Sequence, residues 1–428
     1  MRPSELFRSE HAAASGAGLL ACLLRQSGNS RWQAGAPGPL SGKASGATAR
    51  RTLSSAGRVA LLALAVTPLA CWAQQEMACQ RGQCVEAVTG QAGIGQRLRV
   101  NAHGPVTLEA GVEKELKYTA REVAQAAGPE EARRMLDRYP VRVVNAGGWS
   151  VLTAPLAATL VLRAPRLTAV TIVTSNGPVE ANGIDGALLV DSVTGPLAAD
   201  RIRGDCRLGT RGGDIRAGEI GGTLQSTTGF GSITVRSVRG EAVLQTMSGD
   251  IFVQEAGGPM RAESGAGAIR IARAAAAVDA TTGGGLIWVG AANGLVTAHN
   301  MAGLINIESA AGVRCESGAG GVTLGRISGV MRVSTGMGNI AASLSVAEPD
   351  SYLATGDGDI TLAVPSNLGV TIQAESAMAD SLRRILSEFP QIQARRMGTR
   401  VVAQGTVHGG GPLLRVSSVD GTIIIKRQ

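Results

Sequence analysis

The chain of 428 residues is poor in aromatic residues, histidine and cysteine. Aromatic side chains make up only 3% of it, so any group of them on one surface is notable. Three of its four histidines follow residue 73, too few for a histidine-based metal site or a serine–histidine catalytic pair. No apolar run after residue 73 approaches the roughly 20 residues of a transmembrane helix. The sequence therefore predicts no catalytic residue, no metal ligand, no cofactor and no enzyme activity.

The net charge of +8 does not indicate a nucleic-acid-binding protein. Eight of the 41 basic residues and two of the 33 acidic residues lie in residues 1–73. The rest of the chain carries a net charge of only +2. Because basic charge is the main signature of polyanion binding, we expect no nucleic-acid partner.

Residues 1–73 are typical of a leader that ends in a signal peptide. Three arginines precede an apolar stretch over about residues 59–69, and the small residues Cys71 and Ala73 lie at −3 and −1 of a cleavage site. The pattern predicts an exported protein that is periplasmic, extracellular or held at the cell envelope. Lipoprotein anchoring through Cys71 is the weaker alternative, because Leu69 is one place too close to the cysteine.

Four cysteines remain after the leader. Cys79 and Cys84 lie in a short glycine-containing stretch and can close a disulfide loop in an oxidising compartment. A zinc site is the competing interpretation, but the chain has no second cysteine pair of this kind. Cys206 and Cys315 fall in apolar positions of the repeat described next, so we expect them to be small buried side chains.

Glycine is abundant, with 59 residues, and it recurs at a nearly constant interval. In one series of twelve, a glycine is followed two residues later by an aliphatic residue, with a spacing of 18 residues in most steps. The aliphatic residues are Val179, Leu197, Ile215, Ile233, Ile251, Ile269, Ile287, Ile305, Val322, Ile340 and Ile360, with Ile423 as a distant twelfth. Such a period indicates a unit that stacks on itself.

Each unit can be numbered from its aliphatic residue as position zero. Positions zero and +2 are apolar, as are positions −9 and −7, so two short strands in each unit turn alternate side chains to one side. Position −5 carries threonine, serine or asparagine, which we expect to point inward at the glycine corner and to hydrogen-bond there. Since an 18-residue unit cannot bury a core alone, the sequence predicts an all-β fold, a parallel β-solenoid with coils of about 18 residues.

The segments on either side of the repeat are predicted to cover its ends. Residues 74–160 form an N-terminal capping region with a short helix over 129–138, which begins at a proline and has acidic residues in its first turn. The solenoid itself spans residues 161–365. Residues 366–428 form a C-terminal capping region, in which apolar residues at helical spacing predict a helix over 377–389 before the final strands.

The chain resembles the bacterial putative-adhesin family, a β-strand-repeat domain of unknown function. The resemblance rests on the segment Ala164–Val179, on the repeated Ser/Thr-x-x-Gly-x-Ile coils and on the closing segment Gly409–Ile423, and it covers roughly residues 97–428. It implies a β-solenoid that is exported or membrane-associated. The family brings no catalytic residues that could be assigned to this chain.

Aspartates at position −1 suggest an enzyme as the alternative. Asp214 and Asp250 lie two coils apart, about 10 Å, at or beyond the upper limit of an inverting glycosidase pair. A carbohydrate-active β-helix enzyme, a polysaccharide lyase or glycoside hydrolase, therefore stays as the second hypothesis. Calcium binding is not favoured, because the calcium-roll repeat needs aspartate after glycine in nearly every half-turn.

One group of outward residues is the candidate binding site. Phe252, Arg270 and Trp288 occupy position +1 of three successive coils. With coils about 4.8 Å apart, the guanidinium can lie between the two rings in a cation–π stack. The favoured function is a non-enzymatic, exported, adhesin-like surface or scaffold protein, whose partner would be a cell-surface glycan or an envelope protein.

Overall fold

The computed structural model describes residues 76–80, 82–138, 140–154, 158–346, 348, 351–378 and 384–428. The predicted leader, including its cleavage site and Cys71, lies outside the described residues.

The N-terminal region contains eight strands and one helix. They are β1 (Glu76–Gln80), β2 (Gln83–Ala92), β3 (Arg97–Asn101), β4 (Val106–Ala110), β5 (Leu116–Gln125), α1 (Pro129–Leu136), β6 (Arg142–Ala146), β7 (Trp149–Thr153) and β8 (Thr159–Ala164). Helix α1 lies in the segment where the sequence predicts one. It begins at a proline and has acidic residues in its first turn and basic residues in its last. These charges interact favourably with the helix dipole and stabilise the helix.

In its described residues, the repeat region contains strands and no helix. Its first half contains β9 (Ala169–Thr174), β10 (Val179–Asn182), β11 (Ala187–Thr194), β12 (Leu197–Asp200), β13 (Cys206–Gly212), β14 (Ile215–Ile220), β15 (Leu224–Thr228), β16 (Ile233–Val238), β17 (Ala242–Thr246) and β18 (Ile251–Ala256). Its second half contains β19 (Met260–Ser264), β20 (Ile269–Ala274), β21 (Val278–Thr282), β22 (Ile287–Asn300), β23 (Ile305–Ala319), β24 (Val322–Ile327), β25 (Met331–Met337), β26 (Ile340–Leu344), β27 (Ser351–Asp357) and β28 (Ile360–Val364).

The C-terminal region adds six strands. They are β29 (Val370–Ser376), β30 (Ile385–Ser387), β31 (Gln393–Met397), β32 (Arg400–Val407), β33 (Leu413–Asp420) and β34 (Ile423–Arg427).

The predicted β-solenoid is confirmed. About 11 turns stack through parallel strands that are displaced by one 18-residue coil, so that Ile233 pairs with Ile251 and Ile251 with Ile269. Each coil gives one strand to sheet A, which includes β15, β17 and β19, and one to sheet B, which includes β16, β18 and β20. The inward side chains of both sheets form one apolar cluster along the stack.

Buried hydroxyls hold the corner between the two strands of a coil. Thr246 at position −5 is buried, donates from Oγ1 to the carbonyl of Gly231 at 2.9 Å, and accepts from the amide of Gly249 at 3.1 Å. Ser264 makes the same two contacts one coil later, with Gly249 and Gly267. The position −5 side chains therefore point inward, and all but Ser317 bond the corner backbone, as expected, because a buried backbone group without a partner is costly.

Both ends of the stack depart from chain order. At the N-terminal end β3 lies between β7 and β9, and β4 lies between β8 and β10. At the other end β33 lies between β27 and β29, and β34 lies between β28 and β30. Coil-like layers therefore continue beyond the predicted span of 161–365. At each end, one layer pairs on both sides with strands that are not its neighbours in the chain.

Antiparallel strands cover both sheets at the N-terminal end and sheet A at the C-terminal end. Strand β5 pairs with the edge of β8, followed by β2 and β1, while β6 pairs with β7. At the C-terminal end β32 pairs with β29, and β31 pairs with β32. This cover replaces the exposed edge of a long parallel stack with short antiparallel strands, which limits pairing with other chains.

The predicted helix over 377–389 is wrong where the chain is described. Residues 379–383 of it lie outside the described residues, and Ile385–Ser387 form strand β30, parallel to β34. The edge of β34 offers backbone hydrogen-bonding groups, and pairing with it buries Ile385 while Phe389 packs into the same core. Edge pairing therefore overrides the local helical pattern.

Candidate functional site on the outer side of sheet B

The three residues of the predicted ladder lie in register on strands β18, β20 and β22. Phe252 is directly opposite Arg270, and Arg270 is directly opposite Trp288. Strand alternation turns Phe252 and Arg270 out to solvent and leaves Trp288 partly covered. The structure thus brings the three side chains together on one outer surface, which we call the ladder.

The expected cation–π stack is not the main contact of Arg270. Its Nη1 lies 3.4 Å from Oδ2 of Asp250, at the corner of the preceding coil. Within the described residues, the close arginine–ring contacts are instead Arg97 over Trp149, at 5.5 Å from the ring centroid, and Arg427 over Phe389, at 5.4 Å. A nearby carboxylate competes with the ring quadrupole for the guanidinium, and here the carboxylate holds it.

Trp288 lies against its own strand instead of projecting from it. A methyl group built on Gly290 would lie 2.7 Å from the carbonyl oxygen of Ala272 and 3.1–3.3 Å from the far edge of the indole, so the missing side chain leaves room for both the preceding coil and the ring. The indole Nε1 donates to Oε1 of Glu308 on the next coil, at 3.1 Å. These two contacts hold the ring in a fixed orientation beside Arg270.

An apolar corner lies next to the ladder, and sequence reasoning missed it. It consists of large apolar side chains at positions −4 to −1, where each coil turns from sheet A to sheet B, and each is 59–76% exposed. They are Phe230, Met247, Met301, Leu304 and Met337. Between Met247 and Met301 the corner residues of the intervening coils are mostly glycines. A methyl group on Gly284 would meet no atom within 4 Å, so this part of the corner is open. Large apolar residues among the corner glycines were the sequence signal for it.

The two aspartates of the enzyme hypothesis support the corners of the stack. Asp214 Oδ1 accepts from the amide of Ser232 at 3.0 Å, and Asp250 Oδ1 accepts from the amide of Ala268 at 2.8 Å. The second oxygen of Asp214 lies 3.7 Å from Arg216, much as that of Asp250 lies by Arg270. Each carboxylate therefore accepts a hydrogen bond from the backbone of the next coil and forms an ion pair with an arginine. Both contacts are typical of a residue that stabilises the fold.

Cys79 and Cys84 are joined by a disulfide across the β1–β2 hairpin, where they lie directly opposite each other. Cys206 and Cys315 are free thiols in the core. Burial raises the pKa of both thiols to about 12, so neither forms a reactive thiolate near neutral pH.

Two buried carboxyl groups face each other in the N-terminal cap. Glu86 on β2 is directly opposite Glu122 on β5, each is 2% exposed, and Oε1 of each has no hydrogen-bond partner. Burial, and secondarily the charge of Glu86, raises the pKa of Glu122 to about 7. The stability of the cap is therefore expected to fall as the pH rises towards 7.

In the described part of the chain, no three histidine, cysteine, aspartate or glutamate residues are grouped so that they could hold a metal ion. Nor does any helix within those residues have the length and hydropathy of a membrane span.

Comparison with known proteins gives structural similarity only. No protein-family model and no curated protein sequence matches the chain. Among solved structures, it is similar to a putative cell adhesion protein from Clostridium sporogenes, with 10% identity, 80% of this chain and 100% of that chain covered, and a TM-score of 0.18. It is also similar to a putative adhesin from Bacteroides fragilis, with 11% identity, 80% and 97% coverage, and a TM-score of 0.17.

A third similar structure is a putative adhesin from Parabacteroides merdae, with 8% identity, 66% and 89% coverage, and a TM-score of 0.22. Identities of 8–11% and TM-scores of 0.17–0.22 carry no argument about ligand or activity. The functional conclusion below therefore depends on the surface of this chain.

Proposed function

We propose that the protein is an exported, non-enzymatic solenoid that binds a partner at a cell surface or in the cell envelope, in the manner of an adhesin. The observation that carries the proposal is the joint surface of the ladder and the apolar corner. Contiguous exposed apolar surface is typical of interaction sites, and Met301 and Leu304 expose two large apolar side chains at one corner. Aromatic and arginine side chains are also enriched where binding energy is concentrated.

The rigidity of the stack favours this function. The ladder stands on strands whose inward side chains are fully buried and whose corners are hydrogen-bonded coil by coil. A partner that binds here meets side chains already held in place, as Trp288 is by Gly290 and Glu308. Such preorganisation lowers the entropic cost of binding.

Export is supported by two separate features. The leader has the pattern of a signal peptide, and the Cys79–Cys84 disulfide lies in a hairpin at the edge of the fold, which is typical of proteins in oxidising compartments. Expression of the full chain in a bacterium, followed by fractionation and N-terminal sequencing, tests this. We expect a periplasmic or extracellular protein that begins at Gln74. Retention of the leader on a cytoplasmic protein would contradict export.

The glycosidase or lyase alternative has its own test. Purified protein is incubated with a panel of acidic and neutral polysaccharides, and the release of reducing or unsaturated ends is measured. We expect no release above that of a heat-inactivated sample. Product release that disappears on Asp214→Asn or Asp250→Asn, with the fold retained, would replace the binding proposal by an enzymatic one.

Binding itself is tested with labelled protein on a glycan array and on intact bacterial and epithelial cells. We expect the double variant Phe252→Thr/Trp288→Thr to lose at least tenfold in affinity for whichever surface binds the natural protein. The matched control Thr323→Ala/Thr361→Ala changes the same outward position on other coils. Equal affinity of the ladder variant and the control would sink the proposal.

A further inference from the structure

A row of arginines lies on the outer side of sheet A, near the C-terminal end of the stack. Arg314 on β23 is directly opposite Arg332 on β25, Arg332 is opposite Tyr352 on β27, and Tyr352 is opposite Arg415 on β33. Arg314, Tyr352 and Arg415 are exposed, Arg332 is partly covered, and the four side chains line one shallow depression with Glu316. We call these four residues the arginine row.

The guanidinium charges of the row have no partner among the described residues. Within that part of the chain, none of its three arginine side chains makes an ion pair or a hydrogen bond, whereas the side chains of Arg203, Arg261 and Arg400 each contact a carboxylate. The outward residues two places after the row are Glu316, Ser334, Ala354 and Ser417. Glu316 is the only carboxylate in that list, and its Oε2 lies 3.3 Å from Nδ1 of His299 on the preceding coil.

This arrangement is unfavourable for the fold by itself. Like charges directly opposite each other on paired strands are destabilising, and Arg314 and Arg332 are such a pair. Some outward arginines elsewhere in the stack, such as Arg216, Arg261 and Arg270, lie beside carboxylates, whereas the row places two unpaired arginines directly opposite each other. A local conflict of this kind, with no compensating contact, is typical of a functional site.

The geometry fits a linear anionic ligand that lies along the stack. Paired coils place the row's side chains about 4.8 Å apart in a straight line, and each planar guanidinium can grip a carboxylate with two parallel hydrogen bonds. An extended chain of linked pyranose sugars advances by a similar distance per sugar. The tyrosine ring between Arg332 and Arg415 adds an amphipathic surface for the C–H face of a sugar.

We propose that the arginine row binds an acidic polysaccharide made of uronate residues. A nucleic acid fits less well, because single strands are held by several aromatic platforms and the row has a single ring. Duplex recognition, in turn, needs contacts to phosphates over a wider surface than one column of side chains. The site is separate from the ladder on sheet B, and the proposal does not depend on that site.

The test measures binding of the purified full-length protein to polygalacturonate, with neutral dextran and single-stranded DNA as further probes. The variant Arg314→Gln/Arg332→Gln/Arg415→Gln removes the row. The matched control Arg203→Gln/Arg216→Gln/Arg261→Gln removes three surface arginines that the fold already pairs, so the net charge falls by the same amount.

We expect polygalacturonate binding to fall at least tenfold in the row variant and less than twofold in the control. The slope of log affinity against log salt should fall by roughly one per arginine removed from the contact. Equal losses in both variants would mean nonspecific charge attraction, and no binding of polygalacturonate would also overturn the proposal. Tighter binding of single-stranded DNA, lost in the same row variant, would assign the row to nucleic acid instead.

Thermal unfolding of all three proteins checks that the comparison is between folded chains. Because the row's side chains are solvent-facing and unpaired, we expect the row variant to unfold at the same temperature as the natural protein or slightly above it. Arg332→Lys is the conservative variant. Lysine keeps the positive charge but cannot donate the two parallel hydrogen bonds of a guanidinium. We therefore expect it to weaken polygalacturonate binding by a few-fold.

Discussion

The inward and outward positions of the same strands obey different rules. Inward positions repeat nearly unchanged from coil to coil, since every coil must fill the same core and bond the same corner backbone. Outward positions change from coil to coil, with the ladder on β18, β20 and β22 and the arginine row on β23, β25, β27 and β33. The difference teaches that stability depends on the repeated positions, while the proposed binding sites lie at the varied ones. Substitutions should therefore separate the two properties.

The largest loss of stability is expected at a corner glycine. A methyl group on Gly231 would lie 1.9 Å from the carbonyl oxygen of Gly213, so Gly231→Ala must push two coils apart. We expect the free energy of unfolding to fall by about 3 kcal/mol or more. Gly284→Ala is the matched control, because its methyl group would enter open space. Urea unfolding followed by circular dichroism measures both, and similar midpoints for the two variants would contradict the account of the corner.

The next largest effect is expected at Glu122, a buried carboxyl group whose Oε1 has no hydrogen-bond partner. The pKa of Glu122 is raised from 4.5 to about 7, so the native state holds a proton that the unfolded chain releases above pH 4.5. This contribution to stability is complete below about pH 4.5 and is lost as the pH rises to about 7. From one pKa unit being worth about 1.4 kcal/mol, we expect a loss on the order of 2 kcal/mol between pH 5 and pH 8.

Glu122→Gln should remove most of that pH dependence and raise stability at pH 8, because the amide is neutral throughout. Glu180→Gln, at an exposed position, serves as the control. Unfolding free energies at pH 5 and pH 8 decide the matter. A Glu122→Gln variant that loses as much stability over this range as the natural protein would show that the carboxyl pair is not the source.

A smaller effect is expected at position −5. Ser264 donates to the carbonyl of Gly249 and accepts from the amide of Gly267, whereas the buried hydroxyl of Ser317 has no hydrogen-bond partner. Ser264→Ala leaves one buried and one partly buried backbone group without this partner and should cost about 1–2 kcal/mol, while Ser317→Ala should cost close to nothing. Equal costs, measured by urea unfolding, would mean that packing at this position matters more than the hydrogen bonds.

The repeat could be predicted from sequence because the same physical demand recurs in every coil. The end layers were harder to predict, although Gly104-Pro105-Val106 has the form of Gly177-Pro178-Val179 and pairs with it. The strands and helix inserted between them hide the shared period. At the C-terminal end a helical pattern was outweighed by the free edge of β34, which only the assembled stack provides.

The candidate site was also only partly predictable. Position +1 of successive coils placed Phe252, Arg270 and Trp288 together, because strand register follows from the period. The partner of Arg270 could not be predicted in the same way. Arg270 and Asp250 lie on neighbouring coils at different positions of the repeat, so their contact depends on the conformations of both side chains. The repeat period predicts which backbones pair but not these conformations.

The smallest effect on stability is expected at the ladder. The side chain of Phe252 is 41% exposed and lies outside the apolar core. Surface changes of this kind usually alter the free energy of unfolding by less than about 0.5 kcal/mol. The loss of the Trp288 contacts with Gly290 and Glu308 should add only a little to this. Thermal unfolding of Phe252→Thr/Trp288→Thr checks the value, and a loss as large as that of Gly231→Ala would erase the distinction between inward and outward positions.

The most direct test of the account combines both properties in one sample. Affinity for the surface that binds the natural protein, on the glycan array or on cells, is measured together with the unfolding temperature for Phe252→Thr/Trp288→Thr and for Ser264→Ala. The account predicts that the ladder variant loses at least tenfold in affinity with its unfolding temperature nearly unchanged, while Ser264→Ala unfolds at a lower temperature and binds normally when folded. A ladder variant that binds as tightly as the natural protein would contradict it.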